Sequence, residues 1–155
     1  MRIFWIFGAL AVLLAAGALL FRIERRLRER TRRVLGGVAH ADPNRERVFD
    51  ELRMRHVGTG FADGMPLPAI LETAGEQGVF CTGEALFVGR MIVPLAWVED
   101  VAIESGSLRV RWRCGGELLE TVLQAGLHEM ERLRREIHLR QPNVIEKIVA
   151  MVNKT

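Results

Sequence analysis

The chain opens on an uninterrupted apolar run. Ile3 to Phe21 is 19 residues with no charge and no strongly polar group. As a helix it would extend about 28 Å, close to the hydrocarbon thickness of a bilayer. Polar and apolar positions then mix. Arg22 to Leu35 has helix-forming composition without Pro or Gly, so the helix is expected to continue until Gly36-Gly37 stops it. Asp42-Pro43 offers an N-cap followed by a first-turn proline, which predicts a second helix running to about Arg55. Val57 to Pro68 carries Gly58, Gly60, Gly64 and Pro66 among small residues and reads as a flexible linker.

Beyond Pro68 the period shortens to that of strands. Apolar runs at Ala69–Glu72, Gly78–Thr82, Ala85–Val88, Met91–Pro94, Val98–Glu104, Leu108–Cys114 and Glu117–Leu123 are separated by turn residues, predicting a meander of about seven strands. In the most regular of them Leu108, Val110, Trp112 and Cys114 point one way and Arg109, Arg111 and Arg113 the other. Gly115-Gly116 suits a two-residue hairpin turn. Leu127, Met130, Leu133 and Ile137 then recur at helical spacing. Glu131 with Arg135 and Arg132 with Glu136 are spaced for pairs on the wet side of that helix. It caps the open core of the meander. Val144–Val152, starting at Asn143, forms a short amphipathic tail that could pack on the domain or on the membrane. The fold class is α+β. The chain divides into a membrane anchor (1–21), an Arg-rich helix and linker (22–67), a small antiparallel β domain with its capping helix (68–141) and the tail (142–155).

Charge sets the orientation. The whole chain carries a formal +3, but Arg22 to Arg33 holds seven arginines against two glutamates, a local +5. With that run and Arg2 set aside, the rest carries −3. Arginines flanking a span mark its cytoplasmic side. The expected topology is therefore single-pass in the inner, cytoplasmic membrane, with the N-terminus outside and the domain inside. Arg22, Arg25, Arg26, Arg28, Arg32 and Arg33 are the candidate contacts with anionic headgroups, at about 1 kcal/mol for each basic residue near the surface. Ala16-Gly17-Ala18 resembles a small-residue cleavage site, so the alternative is an exported β-domain released by signal-peptide cleavage. Gly8, Ala11, Ala15 and Ala18 would let two such helices approach, a basis for weak self-association.

The slightly acidic domain excludes the basic patch of a nucleic-acid binder. Cys81 and Cys114 lack CxxC spacing and read as reduced core thiols. His40, His56, His128 and His138 form no ligand-spaced cluster, so neither metal nor cofactor is expected. Gly58-Thr59-Gly60 matches no phosphate-loop pattern. Ser105 and Ser107 lie outside any GxSxG, and no histidine has a local relay partner. No catalytic residue is expected. The row Arg109, Arg111, Arg113 is the one suggestive surface. It is either the solvated side of an amphipathic strand or a stripe that binds an anion or a protein partner.

The run Gly78-Val79-Phe80-Cys81-Thr82-Gly83-Glu84-Ala85-Leu86-Phe87-Val88, the stretch Ile92–Leu95 leading into Val98–Val101, and Gly106–Trp112, followed by one amphipathic helix, together resemble the bacterial PH-like (pleckstrin-homology or GRAM-like) family over about Pro68 to Gln141. The resemblance implies a small antiparallel barrel or sandwich, strongly bent and closed at one corner by the helix. It also implies a binding or scaffolding role, here toward a membrane or cytoplasmic protein. Some members hold phosphoinositides through basic residues between the first two strands. That loop is Ala74-Gly75-Glu76-Gln77-Gly78 here, acidic and without Lys or Arg, so no lipid-ligand residue carries over. The helix tryptophan of many eukaryotic members is missing as well, and Met130 or Leu133 would fill its place.

Overall fold

The structure, a computed structural model, describes residues 2–42, 50–65, 67 and 74–141, with the side chains of its first helix given for Gly8 and from Leu10 onward. That helix, α1 (Arg2–Leu35), is unbroken over 34 residues, about 51 Å at 1.5 Å per residue. The apolar run and the arginine run are thus one rod, as the absence of a breaker between them predicts. Its end is closed by Gly36 and Gly37, whose N–H groups donate to the carbonyls of Arg32 (3.1 Å) and Val34 (3.0 Å). From Leu10 to Phe21 every side chain is exposed, Leu13 at 69 % and Leu20 at 67 %. Among the described residues no helix is long and apolar enough to cross a membrane; the stretch from Leu10 meets Arg22 after 12 residues. Past Phe21 one side of the rod changes character. Leu27 and Leu35 become half-buried, and Thr31 and Val34 become buried.

Eight strands follow: β1 (Ala39–His40), β2 (Leu52–Phe61), β3 (Gly75–Cys81), β4 (Ala85–Val88), β5 (Met91–Pro94), β6 (Val98–Glu104), β7 (Ser107–Cys114) and β8 (Glu117–Gln124). They form one antiparallel sheet in the order β1-β5-β4-β3-β2-β8-β7-β6. The end strands β1 and β6 do not pair with each other, so the sheet is open. Two meanders meet at β2. Its first half pairs with β3 through Leu52–His56, and its second half pairs with β8 out to Phe61, with a register shift between His56 and Gly58 where the strand bends. The β7–β8 turn needs two residues at positive φ, and Gly115 (57°) and Gly116 (80°) provide them.

The core lies on the inner side of the bent sheet. Met54, Val79, Leu86, Val93, Leu108, Val110, Trp112, Leu119 and Leu123 meet there. The helix α2 (Leu127–Arg140) lays Met130, Leu133 and Ile137 over it, against β6, β3 and β7. A buried Leu or Ile contributes roughly 1.5–3 kcal/mol, so α2 belongs to the core.

The segment before Gly75 differs from the expectation. The predicted helix to Arg55 and the predicted linker from Val57 are β2, at the centre of the sheet. Leu52 to His56 alternates in burial (Met54 and His56 in, Arg53 and Arg55 out), the strand period, and pairing on both sides outweighs local propensity. Gly58 and Gly60 thin the strand without ending it. The expected acidic loop Ala74–Gly78 is the start of β3, where Gly75 pairs with His56. The predicted strand Ala69–Glu72, the helix start at Pro43 and the tail Val144–Val152 lie outside the described residues.

Candidate functional site

Leu27, Arg30, Thr31 and Val34 recur at i, i+3, i+4, i+7, which places them on one side of α1. That side faces the β7–β8 hairpin and the end of β2. Arg30 is the central residue, with its side chain 21 % exposed. Its Nε donates to Glu117 Oε2 at 2.9 Å and its Nη1 to Asp63 Oδ2 at 2.8 Å. Nη2 lies 2.9 Å from the same glutamate oxygen. The guanidinium carbon sits 4.1 Å from the centroid of the Phe61 ring, a cation–π position. Met65 N–H donates to Asp63 Oδ1 at 3.1 Å. That bond, joined by Arg30, holds the Asp63 carboxyl below its ordinary range. Arg33 reaches the other Glu117 oxygen at 3.3 Å.

Close packing accompanies these charges. The Cys114 thiol points at the Val34 carbonyl, 3.7 Å away. A Cβ on Gly37 would come within 2.7 Å of Cys114 Sγ, so a larger residue there would force the thiol to shift. The helix is therefore fastened to the sheet by two carboxylates, an aromatic ring and a buried Val34.

Of the arginines expected at the headgroups, Arg22, Arg25, Arg26, Arg28, Arg32 and Arg33 are all exposed on α1. Arg25 pairs with Glu29 at 3.1 Å, and Arg28 with Glu24 one turn earlier. Arg30 was not among the expected contacts, and it is the residue the structure singles out. The sequence held a signal for it: the stripe Leu27, Thr31, Val34 passes through its position.

The row Arg109, Arg111, Arg113 lies on the outer side of β7, as the alternation predicts. Its charges are answered from the neighbouring strands. Arg109 Nη1 meets Glu120 Oε1 at 2.6 Å, Arg111 Nε meets Glu120 Oε2 at 3.0 Å, and Arg113 Nε meets Glu99 Oε1 at 2.7 Å. Asp100 (3.5 Å from Arg111) and Glu104 (3.7 Å from Arg109) complete the ladder. An incoming anion would have to displace these carboxylates. Gly58 and Gly60 line a shallow open groove beside Glu120 and Val122, and its one carboxylate is the one held by Arg109 and Arg111.

A polar chain crosses the interior. Trp112, fully buried, donates its indole N–H to Thr121 Oγ1 at 2.9 Å. Thr121 and Thr59 hydroxyls lie 3.0 Å apart, and Thr59 Oγ1 is 3.0 Å from His56 Nε2. Trp97 stacks parallel to Trp112 at 6.5 Å between centroids. Cys81 and Cys114 are free and buried, and burial pushes both thiols above their ordinary pKa. Among the described residues no three His, Cys, Asp or Glu side chains converge as a metal site. No protein-family model matches the chain, and neither does any curated protein or any solved structure.

Proposed function

We propose that this is a single-pass membrane protein that holds a PH-like binding or scaffolding domain at the cytoplasmic face of the inner membrane, where the domain engages a membrane or cytoplasmic protein. The carrying observation is the character of α1. Its apolar run is exposed on every described side, and the same helix ends fastened to the domain through Arg30 and Val34. A helix that is apolar all round is stable inside a protein core or in lipid, and the described part of this chain places no element over it. The described apolar side chains are fewer than the roughly 20 that a span needs; Ile3–Phe7 in the sequence make up the length. The arginines that follow favour the cytoplasmic side.

The PH-like reading is supported by the strand order. The meanders β2–β5 and β6–β8 are joined where β2 pairs with β8, and one helix follows the last strand and covers the open core. The reading is a binding module rather than an enzyme; in its support, the arginine row of β7 is engaged with Glu120 and Glu99 of the neighbouring strands. The test is biochemical. The protein should sediment with membranes, resist extraction at alkaline pH and keep its N-terminus. Crosslinking from the domain in intact cells should then recover the same protein partner repeatedly. A soluble product beginning at Leu19 would favour the exported, cleaved alternative.

A further inference from the structure

We infer that α1 carries a site for an anionic phospholipid headgroup on the side formed by Arg22 and Arg26, an assignment that rests on the membrane-anchored reading above. Most of the arginine run is already engaged. Arg25 pairs with Glu29, Arg28 with Glu24, Arg30 with Glu117 and Asp63, and Arg33 with Glu117. Arg22, Arg26 and Arg32 are exposed and form no ion pair among the described residues. Arg32 belongs to the last turn of α1, where a cation meets the negative end of the helix dipole.

Depth separates these three arginines further. Counted from Phe21 at 1.5 Å per residue, Arg22 and Arg26 lie about 2–8 Å beyond the apolar run, and Arg32 about 16 Å beyond it. The headgroup layer on one side of a bilayer is roughly 5–8 Å thick. Arg22 and Arg26 therefore fall within it and Arg32 falls below it. Spaced i,i+4, the two side chains stand on one side of the helix with Cβ atoms about 5–6 Å apart. Two guanidinium forks at that spacing can close on a single phosphodiester. Arg26 stands one turn before Arg30, at the border of the stripe that the domain covers, and Arg22 one turn further out; both are exposed, so the approach from lipid is open. The lipid is an anionic one, because the cation of a choline or ethanolamine headgroup competes for the same phosphate.

The experiment uses the full chain in nanodiscs of phosphatidylcholine containing phosphatidylglycerol, with spin-labelled versions of each lipid reporting association with the protein. The wild type is expected to prefer phosphatidylglycerol. Arg22→Gln and Arg26→Gln are each expected to lower that preference about fivefold, and Arg32→Gln to leave it unchanged. Equal association of both lipids with the inserted wild type, or an equal loss in all three variants, overturns the site while leaving the anchor intact. A protein that stays outside the discs overturns the anchored reading, and this site with it.

Discussion

Arg30 and Glu117 stand 87 residues apart in sequence and 2.9 Å apart in space. One lies on the helix that continues the apolar run and the other opens the last strand of the sheet. Both side chains are largely shielded, 21 % and 14 % exposed. A charge-assisted hydrogen bond in such a setting is worth about 1.5–3 kcal/mol, against about 0–1 for a pair in open water. The pair joins α1 to the sheet, so a displacement of one acts on the other.

Breaking the pair should loosen that joint. Arg30→Ala is expected to cost about 2 kcal/mol of unfolding free energy, and Glu117→Ala a similar amount. A double-mutant cycle should return much of that cost as coupling. Denaturant unfolding of the full chain in detergent, followed by tryptophan fluorescence, measures all three terms. Coupling near zero would mean that Val34 and Cys114 alone hold the helix.

Trp112 and Arg111 are neighbours on β7 with opposite fates. Trp112→Ala removes the fully buried ring and leaves Thr121 without its indole donor, and the expected loss is about 3–5 kcal/mol. Arg111, on the outer side, is held by Glu120 at 3.0 Å but remains 37 % exposed, so Arg111→Ala should cost far less than the loss of the tryptophan. Equal losses in thermal or chemical unfolding would contradict the burial pattern of the strand.

Asp63 gives a pH dependence with a defined sign. Its folded pKa lies below the ordinary 3.8 because Met65 N–H and Arg30 favour the carboxylate. The unfolded chain therefore takes up the proton first as pH falls. The stability Asp63 contributes is present in full above its unfolded pKa and is lost as pH drops through the depressed folded value. Asp63→Asn should be less stable than wild type at neutral pH, and the gap should narrow below about pH 4. A gap that stays constant down to pH 2 would contradict the Arg30–Asp63 contact.

Both thiols should be slow toward iodoacetamide in the folded protein and fast in denaturant, because burial raises their pKa and the thiolate is the reactive form. Mass spectrometry of timed samples reads the difference. Rapid native labelling of Cys114 would mean that the Val34 carbonyl does not cover it.

Strands β4, β5 and β6 begin and end where their apolar runs do, and β7, β8 and α2 fall within a few residues of the predicted limits. In each of these, local period and the burial it serves agree. β2 was not legible. Gly58 and Gly60 look like linker residues in isolation, and only pairing with β8 makes them strand. The arginine row of β7 was legible as an outward-facing stripe, but its partners Glu99, Asp100 and Glu120 come from other strands through a register that no single segment encodes. Arg30 was hidden for a related reason. Amid seven arginines its charge looked like the rest, and its distinction arises from a hairpin folded against it more than 80 residues later.

The topology of the chain is the most direct test of the anchored reading. Two reporters, one active only in the cytoplasm and one only in the periplasm, would be fused in turn to the C-terminus of the full protein and assayed in intact cells. The account predicts a cell-associated, membrane-sedimenting fusion in which the cytoplasmic reporter is active and the periplasmic one silent. An active periplasmic reporter, or a fusion that sediments with no membrane, would contradict it.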